Sequence, residues 1–122
     1  MVSPAVGKVI LVPFPFSDLS KSKMRPAVVL ADAGRDDWIL CQITSNPYGD
    51  PIALVIRDED FAEGSLRITS FARPGKLFTA SSGLMLGEIG TLREDMAVRI
   101  INAIIKLLSN GIGKSNTQED PH

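Results

Sequence analysis

Apolar residues along this chain come in short runs punctuated by Pro, Gly and Asp, until one long helical period appears near the C-terminus. Residues 9–12 (Val-Ile-Leu-Val) are aliphatic and mostly β-branched, and Pro13-Phe14-Pro15-Phe16 closes them, so they predict a strand. Residues 17–23 are polar and turn-forming and predict a loop. Residues 26–31 (Pro-Ala-Val-Val-Leu-Ala) are apolar on both faces and predict a second strand, with Pro26 at its start, where a missing N–H is tolerated. A turn follows at 34–37. A third strand is predicted over 38–44, with Ile39, Cys41 and Ile43 on one face and Leu40, Gln42 and Thr44 on the other.

The stretch 45–51 (Ser-Asn-Pro-Tyr-Gly-Asp-Pro) is rich in turn residues, and 52–56 predicts a short strand. Asp58-Glu59-Asp60 and Glu63-Gly64 read as turns. Residues 66–72 predict a strand that Arg73-Pro74-Gly75 breaks and 76–79 resumes; 80–90 reads as a mixed connection. A helix is predicted from Thr91, whose spacing to Glu94 is that of a capping box. Asp95, Arg99, Asn102 and Lys106 form its polar stripe, and the rest of its surface is broadly apolar. Asn110-Gly111 supplies the stop. Residues 1–110 therefore read as one domain and 111–122 as a tail expected to be disordered. Many short strands and one terminal helix predict a mainly β fold: a small, strongly bent antiparallel sheet or barrel with the helix packed on it.

Composition narrows the chemistry. The chain has 122 residues, 44% hydrophobic and 22% charged, so it has the apolar content for a core and is not a disordered polymer. Its 13 Lys and Arg nearly cancel 14 Asp and Glu, so an anionic partner would have to be held by a local patch. Such a patch exists: residues 1–30 carry Lys8, Lys21, Lys23 and Arg25 against Asp18 alone. The single cysteine, Cys41, lies in an apolar run and reads as a small buried hydrophobe in a reducing compartment. The only histidine is the last residue, His122. A Cys–His site, a Ser-His-Asp triad and a zinc site are thereby disfavoured, and no cofactor or metal is expected. No stretch reads as a signal peptide or membrane segment, which leads to the expectation of a cytoplasmic protein.

The first forty-five residues carry the sharpest motif. Gly7-x-Val9-x-Leu11-Val12-x-Phe14-Pro15-Phe16-Ser17-Asp18, a short basic loop and Arg25-Pro26-Ala27-Val28-Val29-Leu30 closely resemble the start of the MazF/PemK family of toxins from toxin–antitoxin operons. Ile43-Thr44-Ser45, Ser70 and Arg73-Pro74-x-Lys76-Leu77-Phe78 match as well, so the resemblance covers roughly residues 6–109. It implies a small SH3-like barrel with a C-terminal helix, acting as a homodimer. It also implies a metal-independent endoribonuclease that cleaves single-stranded RNA, mRNA among its targets, at short sequences and leaves a 2′,3′-cyclic phosphate and a 5′-hydroxyl. A cognate antitoxin is the implied protein partner, DNA being met only through it, with no membrane involved. The family's two catalytic positions fall on Arg25 and Thr44. Phe16, Ser17, Asp18, Lys21, Lys23, Ser45, Asn46, Ser70, Arg73 and Lys76 are the implied RNA-binding residues. The alternatives on the same fold are a toxin that poisons DNA gyrase by contact, and a weakly catalytic member that mainly binds its antitoxin or autoregulates its operon.

The residue types agree with phosphodiester chemistry. Cleaving RNA without a metal uses the ribose 2′-OH as nucleophile, and the protein must stabilise charge on the phosphorane oxygens. A guanidinium is a permanently charged planar fork that matches two such oxygens, and a threonine hydroxyl can hydrogen-bond one or position the arginine. Neither is a general base at neutral pH. Taken alone, Arg25 reads first as a surface arginine paired with Asp18 or Asp32 and Thr44 as a strand-end filler, while the basic loop reads equally as merely solvated. Phe16 is the best candidate for stacking an unpaired base, with Phe71 a second; Phe14 and Trp38 read as core, and Asp18 as a residue that orders the loop.

Overall fold

The computed structural model describes residues 2–14 and 23–119. Seven strands, β1 (Lys8–Pro13), β2 (Met24–Gly34), β3 (Asp37–Thr44), β4 (Leu54–Ile56), β5 (Phe61–Gly64), β6 (Ser70–Ser81) and β7 (Gly87–Leu92), precede one helix, α1 (Glu94–Glu119). The strands form a single sheet in the order β4-β6-β3-β2-β1-β7-β5. Every pairing in it is antiparallel, and the sheet curls into a half-barrel, as the sequence predicts. No helix among the described residues is long and apolar enough to cross a membrane.

The continuous apolar runs of β1 and β2 follow from burial on both faces. One face of the sheet packs Val9, Val28, Cys41, Ile43, Ile56 and Ala72 against Met96, Ile100 and Ile104 of α1. The opposite face gathers Ile10, Val12, Ala27, Val29 and Leu40 with Met85, Ala80 and Val2. The alternation predicted for β3 is thus observed: Cys41 and Ile43 lie toward the helix, Leu40 on the other side.

Five local expectations are corrected. The strand predicted over 66–72 begins only at Ser70, and β6 then runs unbroken through Arg73-Pro74-Gly75 to Ser81. It absorbs those residues as a wide bulge: Cys41 pairs with Leu77 and Ile43 with Ala72, leaving 73–76 opposite Gln42 alone. Glu63-Gly64 is the end of edge strand β5 rather than a turn. Glycine permits that pairing, because a Cβ on Gly64 would overlap the Ile89 carbonyl and one on Gly90 the Glu63 carbonyl. The connection 80–90 contains a 3-10 turn (Ser82–Leu84) and most of β7.

Thr91, finally, does not cap the helix, because it pairs with Lys8 inside β7 and the next residue, Leu92, donates its N–H to Gly7. The first helical carbonyl is that of Arg93, which accepts from Met96 and Ala97. At its other end α1 passes through Asn110-Gly111 without stopping there. An interior glycine costs only about 1 kcal/mol relative to alanine and does not by itself end a helix.

Candidate active site

Sheet register brings the two residues singled out in the sequence together. Val12 of β1 pairs with Arg25, and Ala27 pairs with Gln42. Arg25 of β2 and Thr44 of β3 each lie two residues beyond that last pair, at the same end of adjacent strands and on the same face by alternation. Thr44 in turn pairs with Phe71 of β6, and Phe71 with Val55 of β4. Side chains paired across a sheet share a face, so Arg25, Thr44, Phe71 and Val55 form one row over four strands. The row lies on the face turned away from α1, since the intervening Ile43, Ala72 and Ile56 belong to the helix-side core.

Arg25 is half-buried, and among the described residues no carboxylate pairs with it. Asp32, one of the partners considered for it, instead accepts from the Gly34 N–H at 2.8 Å in the β2–β3 turn. Thr44 is 4% exposed, and its hydroxyl is committed on both sides. Its Oγ1 donates to the Asn46 carbonyl at 3.1 Å and accepts from the Asn46 N–H at 3.2 Å. The side-chain oxygen of Asn46 accepts from the Tyr48 N–H at 2.9 Å. This ladder of short side-chain-to-backbone bonds gives the turn-rich stretch after β3 its shape.

The same stretch is tied to β6. Arg73 Nε lies 3.0 Å from Asp50 Oδ2, and the two side chains are only 17% and 11% exposed. The Arg73 guanidinium also sits 5.7 Å from the centre of the Tyr48 ring. Asp50 Oδ1 accepts from the Ile52 N–H, so the carboxylate is used at both oxygens. Cys41 donates its thiol to the Arg73 carbonyl at 3.2 Å, and burial pushes that thiol up to about 12, leaving it neutral and inert. Beside Thr44 on β3, Gln42 is 7% exposed, and its Oε1 has no hydrogen-bond donor among the described residues.

The remaining sequence candidates divide. Ser45 and Asn46 are exposed next to Thr44, and Lys23 is exposed at the base of the β1–β2 connection, where its carbonyl accepts from Phe14 N. Lys76 is half-buried in the β6 bulge. Ser70 is set apart from the row: it is 2% exposed and donates its hydroxyl to the Ile68 carbonyl. Phe16, Ser17, Asp18 and Lys21 lie outside the described residues. Phe14 is buried edge-on against Phe78 at 5.0 Å, and Trp38 packs against the core opposite the helix, in keeping with their reading as core. Asp50, Tyr48 and Gln42 were not singled out from the sequence. No local pattern marks Asp50, because its partner is 23 positions away. No three His, Cys, Asp or Glu residues among those described are grouped to hold a metal ion.

A permanently charged fork beside a hydroxyl, at the end of adjacent strands, is suited to holding a phosphodiester. Comparisons with known proteins bear on that reading. Residues 5–108 match the family model described as PemK-like, MazF-like toxin of type II toxin-antitoxin system. Among solved structures the chain is similar to MazF from Deinococcus radiodurans, with TM-score 0.70 at 16% identity over 89% of this chain and 99% of that one. It is also similar to a MazE-MazF structure from the same organism, with TM-score 0.69 at 16% identity over 88% of this chain and 98% of that one. A third structure, an endoribonuclease in complex with its cognate antitoxin from a mycobacterial species, aligns with TM-score 0.67 at 14% identity over 88% of this chain and 96% of that one. No curated protein matches the chain.

Proposed function

The chain belongs to the PemK-like, MazF-like toxins of type II toxin-antitoxin systems, and from that premise we propose that it is a metal-independent endoribonuclease acting on single-stranded RNA. The observation that supports the reading is that Arg25 and Thr44 lie at the same end of the neighbouring strands β2 and β3, on the same face by alternation. In the reaction the ribose 2′-oxygen bonds to phosphorus, the P–O5′ bond breaks, and the products are a 2′,3′-cyclic phosphate and a 5′-hydroxyl. The 2′-OH proton is lost and the departing 5′-oxygen gains one. Arg25 holds the non-bridging oxygens, where charge builds up in the transition state. Thr44 Oγ1 either redirects its proton from the Asn46 carbonyl to a phosphate oxygen or keeps that bond and fixes the edge against which Arg25 is held.

The reading extends to partners. A cognate antitoxin is proposed because structures similar to this chain include an endoribonuclease in complex with its antitoxin and a MazE-MazF complex. A homodimer is proposed because α1 leaves Val98, Ile105 and Leu108 at 45%, 54% and 61% exposure, an apolar surface that a second copy would cover. A cytoplasmic location follows from the substrate. The test is incubation of the purified protein with a long single-stranded RNA in EDTA, followed by sequencing of the cut ends. Cuts at a recurring short sequence with 5′-hydroxyl ends are expected. Cutting that vanishes on chelation and returns with magnesium or manganese would overturn the mechanism.

A further inference from the structure

Arg73 was a candidate RNA contact, but its surroundings give it different work. It stands where β6 leaves register with β3, and its carbonyl there accepts the Cys41 thiol. Its guanidinium turns toward the 45–53 connection, bonds Asp50 at 3.0 Å and lies against Tyr48. With exposures of 17% and 11% the pair is shielded, and a guanidinium held this way is poorly placed to neutralise a phosphate. From Tyr48 the connection leads back through Asn46 to the Thr44 hydroxyl by hydrogen bonds of 2.9, 3.1 and 3.2 Å.

We propose that Arg73 and Asp50 are positioning residues: their ion pair clamps the connection after β3 onto the β6 bulge and so fixes the Thr44 hydroxyl on the face of the sheet that carries Arg25. This rests on the nuclease reading for its catalytic consequence, but its structural half stands on the contacts alone. Arg73 and Asp50 act through Thr44 and touch no substrate.

A role as an RNA contact makes the opposite prediction for one substitution. If Arg73 bound RNA, Asp50→Asn would release the guanidinium from its competitor and tighten binding. If the pair is a clamp, Asp50→Asn and Arg73→Gln harm the same step. Four variants are compared: Asp50→Asn, Arg73→Gln, the double variant, and Arg73→Lys, which keeps the charge but not the fork. For each, thermal melting checks the fold, and cleavage gives kcat and KM. Affinity for a 2′-O-methylated RNA that cannot be cut is measured across salt concentrations. Amide hydrogen exchange is followed at Asn46, whose N–H is held by Thr44 Oγ1.

The clamp predicts a fall in kcat of tenfold or more with KM within about twofold, Arg73→Lys recovering part of it, and the double variant no worse than either single. The Asn46 amide should exchange at least tenfold faster in both single variants, and the salt dependence of RNA binding should stay as in the parent. Unchanged Asn46 exchange, tighter RNA binding by Asp50→Asn, or a salt slope reduced by about 0.7 in Arg73→Gln would each overturn it. Should the double variant alone remain folded, its exchange rate decides the matter. A parent protein that cuts no RNA would refute the nuclease reading and leave the exchange experiment to decide the clamp.

Discussion

Replacing Gln42 with methionine should make the protein more stable. The side chain is 7% exposed and flanked by Ala27 on β2 and the β6 bulge, and its Oε1 is buried with no donor among the described residues. A buried acceptor left without a partner costs about 1–3 kcal/mol, because its hydration is lost and nothing replaces it. Methionine has similar length and volume, so Gln42→Met removes the acceptor without opening a cavity, and an apolar exchange of that kind costs under about 1.5 kcal/mol. The balance favours the variant by about 1 kcal/mol, or roughly 3–5 °C in Tm for a domain of this size. Urea unfolding should show a higher midpoint at constant slope. Gln42→Glu is the paired control: it keeps the shape but places a carboxyl in the same dry site, and should lower the midpoint. A Gln42→Met variant less stable than the parent would show that the amide is satisfied in solution and refute the reasoning.

Arg25→Ala should reduce RNA cleavage by about a hundredfold or more with Tm little changed, since a single donor to the transition state is worth about 3–4 kcal/mol; Arg25→Lys should recover little of it, and a folded, fully active Arg25→Ala would exclude the assignment. The kcat/KM of cleavage should climb steadily with pH between about 5.5 and 8.5, because with no side chain acting as base the 2′-OH proton is lost to water or hydroxide, and hydroxide grows with pH; a bell-shaped profile from stopped assays would reveal a titrating base that neither Arg25 nor Thr44 supplies. The Cys41 thiol, raised by burial to about 12 from an ordinary 9.0, contributes stability that is fully present below pH 9 and is lost as pH climbs from there toward 12. Cys41→Ala should flatten that alkaline decline in denaturant midpoints, and the native thiol should resist alkylation at pH 8; an unchanged decline would place its cause elsewhere.

What the sequence reveals and what it hides divide along a physical line. Strand identity and face are encoded locally, so the alternation of Leu40, Cys41 and Ile43 was readable, as was the two-faced burial of β2. Arg25 and Thr44 were readable as site candidates through a local motif at the start of β2 and the end of β3. The misread elements are those decided by a distant partner. Glu63-Gly64 has the composition of a turn, yet it pairs with β7 because Gly90, far along the chain, lets the two backbones approach. Thr91 and Glu94 have the spacing of a capping box, yet Lys8 draws Thr91 into the sheet. Arg73-Pro74-Gly75 has the composition of a strand break. It becomes a bulge because β3 continues beside it and recovers register at Ala72.

Arg73 shows the same rule at the level of chemistry. A positive residue near a phosphate-binding motif reads as a phosphate ligand as long as its neighbours in space are unknown. Once folding brings Asp50 to it across 23 positions, the charge is spoken for, and what it offers the site is rigidity instead of attraction. Arg73 has a carboxylate partner and Arg25 has none among the described residues, and on our proposal that difference gives the chemistry to Arg25 and the architecture to Arg73.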